Sequence, residues 1–157
     1  MMQFYPLDHE ATIEDIQKFH YKNKKIGVIA HIINDKQEIL LQQRGRESRD
    51  ENNLYENIGG KVEKVDLNYK EAIIRELKEE AGDDLNLEIF DSIGIYYCHK
   101  KNIDWLFVIY LMKYISGNFK IMEPTKCEGY KFFSYEEAMK STRVTEGSKY
   151  LIKTLRK

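Results

Sequence analysis

The chain has 157 residues, a formal net charge of −1, 42% hydrophobic residues and 32% charged ones. That length suggests one domain, and a charge so near zero gives no global field to draw in DNA or an anionic membrane. No apolar run approaches the ~18–20 residues of a membrane span.

Met1 to Lys25 is polar with scattered aromatics and has no signal-peptide apolar region. Cys98 and Cys127 show neither metal-ligand spacing nor a disulfide framework, which predicts a reduced, cytoplasmic setting. Ile13, Ile16, Phe19 and His20 recur at helical spacing, so residues 8–19 are expected to form a short amphipathic helix. Residues 1–24 read as an accessory lid or packing element with no chemistry of their own. His9 and His20 read as surface residues.

Lys25 to Ile33 is β-rich and ends at the turn signal Asn34-Asp35. Glu38 to Gln43 is the next strand, and the two predict a hairpin. Arg44, Arg46 and Arg49 follow in a polar loop. Residues 50–61 fail the calcium-loop test, because Tyr55 and Lys61 stand where glycine and glutamate are required. Leu54 to Ile58 instead reads as a short strand delivering Gly59-Gly60.

Asn68 is a suitable N-cap, with Glu71 placed to complete a capping box, and Gly82 suits a helix end. A helix is therefore predicted over 68–81. On it Ile73, Ile74, Leu77 and Ala81 share an apolar arc, and Glu76, Glu79 and Glu80 fill the adjacent arc. Arg75, Lys78 and Glu71 point away. Like charges at i, i+4 destabilise a helix by roughly 0.2–0.5 kcal/mol per pair, and a hard divalent cation bound by oxygen ligands reverses that sign.

Gly60, Arg75, Glu76, Leu77, Glu79, Glu80 and Gly82 stand at the spacing of the Nudix box, and the chain resembles the Nudix hydrolases from about Lys25 to the end. Three positions depart from the pattern. Asp66 replaces the first glutamate, one extra residue lies between it and Arg75, and Asp83 fills the last apolar position. The matched half is the metal-binding half.

Beyond the box, Leu85 to Cys98 and Trp105 to Tyr114 read as two long strands joined by a polar turn over His99 to Asp104. The second is apolar nearly throughout, as for a strand covered on both faces. Trp105 and the tyrosines read as core. Ser134 is placed to cap a short helix over 135–140, and a closing helix is predicted from Lys149 to Arg156.

The resemblance implies an α+β fold, an α/β/α sandwich with a mixed β-sheet between helices, occupying residues 25–157. It implies Mg²⁺-dependent hydrolysis of a diphosphate bond in a nucleoside diphosphate linked to a further group, with Mn²⁺ a possible substitute. Gly60, Glu76, Glu79 and Glu80 would hold metal, Glu79 or Glu76 would act as base, and Arg75 would orient the strip through Asp66 or Glu79. Glu123 and Glu128, in the run Glu-Pro-Thr-Lys-Cys-Glu-Gly-Tyr, would offer a further carboxylate or else are loop charges. Arg44 would face substrate phosphates, and Glu146 and Ser148 would border the base.

The same run points to a nucleoside triphosphate cut to monophosphate and pyrophosphate. Dinucleoside polyphosphates, suggested by Tyr96 and Tyr97, remain open, as do a triphosphorylated RNA 5′ end and a non-catalytic nucleotide sensor. The usual proline of ADP-ribose enzymes is absent. A homodimer is compatible with the sequence.

Overall fold

A computed structural model describes residues 1–46 and 52–156; Arg49 and Lys157 lie outside the described residues. Among the described residues, eight strands and four helices follow one another. They are β1 (Met2–Pro6), α1 (Ile13–Gln17), β2 (Lys24–Ile33), β3 (Ile39–Arg44), β4 (Tyr55–Glu56) and β5 (Ile58–Lys61). Then come α2 (Tyr69–Ala81), β6 (Leu85–Lys100), β7 (Ile103–Gly117), β8 (Cys127–Phe133), α3 (Tyr135–Lys140) and α4 (Glu146–Leu155).

The sheet runs β1-β6-β7-β2-β3-β4, with β5 also on β2 and β8 also on β3. β2 and β7 are parallel and the remaining pairs antiparallel, so the sheet is mixed. The expected β2–β3 hairpin survives at a single pair, Ile33↔Ile39. Below it β2 takes β5 instead, from Gly27↔Lys61 to Ala30↔Ile58, while β3 leaves to pair with β8. Sequence proximity favours the hairpin, but the sheet gains more pairing by splitting there. The split puts the glycine pair inside the sheet.

Strand alternation sorts the two faces. Val28, Ala30, Ile32, Leu106, Val108 and Tyr110 pack with Ile73, Leu77 and Ala81 of α2. On the opposite face Tyr96, Ile109 and Leu151 form one cluster, and Leu41, Phe133 and Ile152 another. Burying an apolar side chain of this size contributes about 1.5–3 kcal/mol, so α2 and α4 are held mainly by these stripes. Asn68 caps α2 by accepting from the Glu71 N–H at 2.8 Å. Gly82 ends it at φ 85°, a conformation that favours glycine.

Three expectations need correction. Met2–Pro6 is a strand, paired with β6 from Met2↔Cys98 to Pro6↔Gly94. Its short, mixed sequence carries little signal, and its closing Pro6 is tolerated because β1 is an edge. The β6–β7 turn narrows to Lys101-Asn102, both left-handed, because the flanking polar residues His99 and Asp104 pair within the ladder. Finally, α4 begins at Glu146, earlier than expected, because Thr145 accepts from the Ser148 N–H and caps it.

Candidate active site

The glycine pair sits in β5, with Val28↔Gly60 and Ile29↔Gly59 in register on β2. α2 crosses this strand so closely that a Cβ on Gly60 would lie 2.3 Å from the Glu76 carboxylate carbon. The Glu76 carboxylate therefore rests on the Gly60 backbone. It is 9% exposed, and burial lifts its pKa above the ordinary carboxylate value against the opposing pull of Arg75. One turn on, burial pushes the Glu80 carboxyl up to about 7; Glu76, Glu56 and Glu123 push the same way, and a bond from Gln42 opposes them. Glu79 is exposed.

Arg75 does not point away from this strip. Its Nε and Nη2 donate to both oxygens of Asp66 at 2.8 and 2.9 Å, and Nη2 also donates to the Lys61 carbonyl at 3.1 Å. Its Nη1 donates to Glu76 at 3.0 Å and Glu79 at 3.2 Å, with Glu63 at 3.4 Å. Helical spacing fixes where the Arg75 Cβ points but not the end of a long side chain, which here curls under the loop. Asp66 also accepts from the Glu63 N–H at 2.8 Å. The aspartate, with the extra loop residue, thus closes a bidentate pair with Arg75.

On the other face of the sheet a cavity of about 670 Å³ opens from the glycine pair. Arg44 and Glu56, ion-paired with each other, stand at its near end. The first turn of α4 forms one wall, with Glu146 exposed and Ser148 buried. The Ser148 hydroxyl accepts the Asn57 N–H at 3.0 Å, which ties α4 to the β4–β5 junction. Trp105 and Phe107, expected in the core, line the cavity with ring planes 9° apart and centroids 5.1 Å apart. Alternation along β7 was the available signal: Trp105 and Phe107 fall opposite Leu106 and Val108.

The fold thus gathers Gly60, Arg75, Glu76 and Glu80 at one spot, with Glu79 tied in through Arg75 and Glu123 close enough to act on Glu80. Glu123 also pairs with Lys126 at 3.1 Å. Glu128 is exposed where the β8 register on β3 shifts. Arg46 is exposed and outside the cavity lining. Glu56 and Gln42, neighbours of Glu80, carry no motif; only the β3–β4 pairing Gln42↔Glu56 brings them there.

Among the described residues no three His, Cys, Asp or Glu side chains form a ready-made metal cage. The donor set still suits a hard cation. All its members are oxygens, two carboxylates are lifted by burial, and the Gly60 backbone supplies a cradle that a Cβ would fill.

Among the described residues no helix is long and apolar enough to cross a membrane. A search of curated proteins returned no match. Among solved structures, the chain is similar to a MutT Nudix hydrolase from Burkholderia pseudomallei (TM-score 0.68, 21% identity, 86% of this chain and 100% of that one). It is similar to a MutT protein from Methanosarcina mazei Go1 (TM-score 0.66, 22% identity, 87% and 95%). It is also similar to the Nudix domain of Shewanella oneidensis NrtR, solved with ADP ribose (TM-score 0.66, 16% identity, 91% and 96%). At these identities the likeness establishes the sandwich fold. The Nudix domain family model matches residues 23–155, nearly the whole chain, and with the box closed by Asp66 and Arg75 the chain belongs to the Nudix hydrolase family, whose general chemistry is hydrolysis of pyrophosphate bonds.

Proposed function

We propose that the chain hydrolyses a diphosphate bond in a nucleoside diphosphate linked to a further group, foremost a nucleoside triphosphate cut to monophosphate and pyrophosphate. The observation that supports this is a juxtaposition. The Glu76 carboxylate is seated on Gly60, and an aromatic-walled cavity opens from that glycine pair. Phosphates at the glycines and a base on the aromatic wall occupy one continuous space.

Gly60 through its carbonyl, with Glu76, Glu79 and Glu80, would hold Mg²⁺, or Mn²⁺ in its place. What such a cation supplies when bound is neutralisation of phosphate charge and a lower pKa for the attacking water. Glu79 or Glu76 takes the proton, with Glu123 and Glu128 as rivals. Arg75 is a positioning residue: it holds Glu76 and Glu79 while Asp66 holds it. Arg44 meets the phosphates, and Glu146 borders the base. Ser148 acts there through the backbone it ties down. Residues 1–24 serve as an accessory segment.

The test is release of pyrophosphate and orthophosphate, with Mg²⁺, across a panel of nucleotides. The panel holds nucleoside triphosphates, dinucleoside polyphosphates, a triphosphorylated oligoribonucleotide and, given the NrtR likeness, ADP-ribose. Pyrophosphate from a triphosphate is the expected result. Binding without turnover of any member would overturn the enzyme reading in favour of a sensor.

A further inference from the structure

The acidic strip runs into the last turn of α2, where helix geometry works against it. The final carbonyls of a helix have no intrahelical donor and carry partial negative charge, and Glu79 and Glu80 sit among them. Two of these carbonyls are answered by donors from another part of the chain. The Tyr130 hydroxyl donates to the Glu80 carbonyl at 2.6 Å, and the Lys120 N–H donates to the Ala81 carbonyl at 2.8 Å. The Tyr130 oxygen also stands 3.2 Å from the Lys120 carbonyl. A single phenol on β8 thus joins the end of α2 to the segment 118–126.

That segment carries Glu123, close enough to act on the Glu80 carboxyl. Its start is anchored by Phe119, whose ring packs against Tyr114, Tyr130 and Phe132 at centroid distances of 5.7, 5.3 and 6.2 Å. Lys120 lays its stem over Gly82, where a Cβ would meet its Cδ at 3.1 Å. Further on, the Lys126 and Cys127 N–H groups both donate to the Glu123 carbonyl, at 2.9 and 3.0 Å. Glu123 therefore stands between two fixed ends, and the nearer one is tied to the helix by Lys120 and Tyr130.

Packing alone does not ask for a hydroxyl at this place. Phe119 and Phe132 surround the ring, and phenylalanine would fill the same space. Burial raises the Tyr130 phenol above its ordinary 10, so it stays a donor at neutral pH. Strand register adds a second observation. Tyr130 is level with Gln42, and Gln42 with Glu56, so these side chains stand abreast on β8, β3 and β4. All act on Glu80: Tyr130 on its backbone carbonyl, Gln42 by a bond to its carboxyl, Glu56 by charge. A strand row that converges on one carboxylate-bearing turn supports that turn.

We propose that Tyr130 is a positioning residue: its hydroxyl pins the segment 118–126 to the last turn of α2 and so sets Glu123, rather than Glu128, beside Glu80 as a further carboxylate toward the cation. The inference rests on the reading given under Proposed function and deepens it. Glu128 lies beyond the turn, exposed where β8 shifts register on β3.

The readout is Mn²⁺ binding, followed by loss of the free-ion EPR signal with no nucleotide present, so it does not depend on turnover. Tyr130→Phe keeps the ring and removes one oxygen. It is expected to raise the Mn²⁺ dissociation constant about tenfold, the scale of one hydrogen bond. Tyr114→Phe takes a phenol from the same aromatic cluster, one that donates to the Gly117 carbonyl rather than to α2, and is expected to leave the constant unchanged. In a Glu123→Gln background the Tyr130 substitution is expected to cost less than about twofold further, because the two act as one unit. With a nucleotide that is turned over, Tyr130→Phe is expected to lower kcat about tenfold and to leave KM within about twofold.

Unaltered Mn²⁺ affinity in Tyr130→Phe overturns the proposal, as does an equal loss in Tyr114→Phe. A full further loss in the Glu123→Gln background overturns it too, as does absence of Mn²⁺ binding by the unaltered chain. Constants that behave as expected while no nucleotide is hydrolysed would support the pin and remove the enzymatic reading. Hydrolysis that proceeds equally well in Tyr130→Phe would remove the pin and leave that reading in place.

Discussion

On the α2 side of the sheet, charge is crowded into a small volume: Glu76 rests on Gly60, Glu80 is half-buried beside it, and one guanidinium reaches Asp66, Glu76 and Glu79. On the α4 side the same strands line an open cavity with flat rings and scattered cations. The two sides share β5, whose glycines bring carboxylate and cavity to one place. The difference teaches a division of labour. On the proposed reading, the crowded side acts on a phosphate but has little room to distinguish one nucleotide from another, and the open side has the reverse properties.

The comparison breaks most sharply at the strip. Glu79→Gln and Glu80→Gln are each expected to abolish turnover with the thermal transition preserved; near-normal rates in either would remove that residue from the chemistry. Gly60→Ala comes next. Its methyl must displace the Glu76 carboxylate from 2.3 Å, and a misplacement on the order of 1 Å costs about a hundredfold in rate. Asp66→Asn frees Arg75 and should lower kcat by about 10–100-fold, the usual cost of losing an outer support. On the other side Trp105→Ala should raise KM by about tenfold and leave kcat nearly unchanged, since a base stacked on an aromatic side chain contributes about 1–3 kcal/mol. Equal losses of kcat on both sides would erase the division.

The smallest effect is in stability, measured without added metal. Glu80 titrates near 7 in the fold, above its ordinary 4.5. Between those values the native chain binds a proton that the unfolded chain does not, so this group destabilises at neutral pH and ceases to do so by pH 4.5. His31, buried on the α4 side with Nδ1 unpaired among the described residues, is pushed by burial from 6.5 to about 4. Here the unfolded chain binds the extra proton, so stability is lost as pH falls from 6.5 to about 4. Each shift corresponds to about 3 kcal/mol at full extent, and between pH 6.5 and 4.5 the two oppose. Denaturant titrations should therefore show a shallow pH dependence in the unaltered chain. Acid should destabilise Glu80→Gln and stabilise His31→Leu, and the same slope in both variants would contradict these environments.

How much of this was legible depended on sequence distance. The box residues Gly60 to Gly82 fall within one strand–loop–helix unit, so their spacing and helical period alone place Glu76, Glu79 and Glu80 together. The Asp66–Arg75 pair was legible for the same reason, although the reach of Arg75 to Glu76 was not. The cavity is assembled from β1 through β7 and α4. Nothing local marks Met2, Glu56 or Lys100 as its lining, and Trp105 reads as core until its strand partners are known.

The sequence by itself determined the helix that carries the acidic strip, with its cap at Asn68 and stop at Gly82, the glycine pair, and the family. Each of these depends on residues close enough along the chain to interact through local geometry. Only the tertiary structure decided that β2 abandons its hairpin partner for β5, that Glu56 and Gln42 join Glu80, and that the aromatic row faces open space. Those outcomes depend on which strands pair and on what covers each face, and that is settled by the packing of distant segments rather than by any local preference.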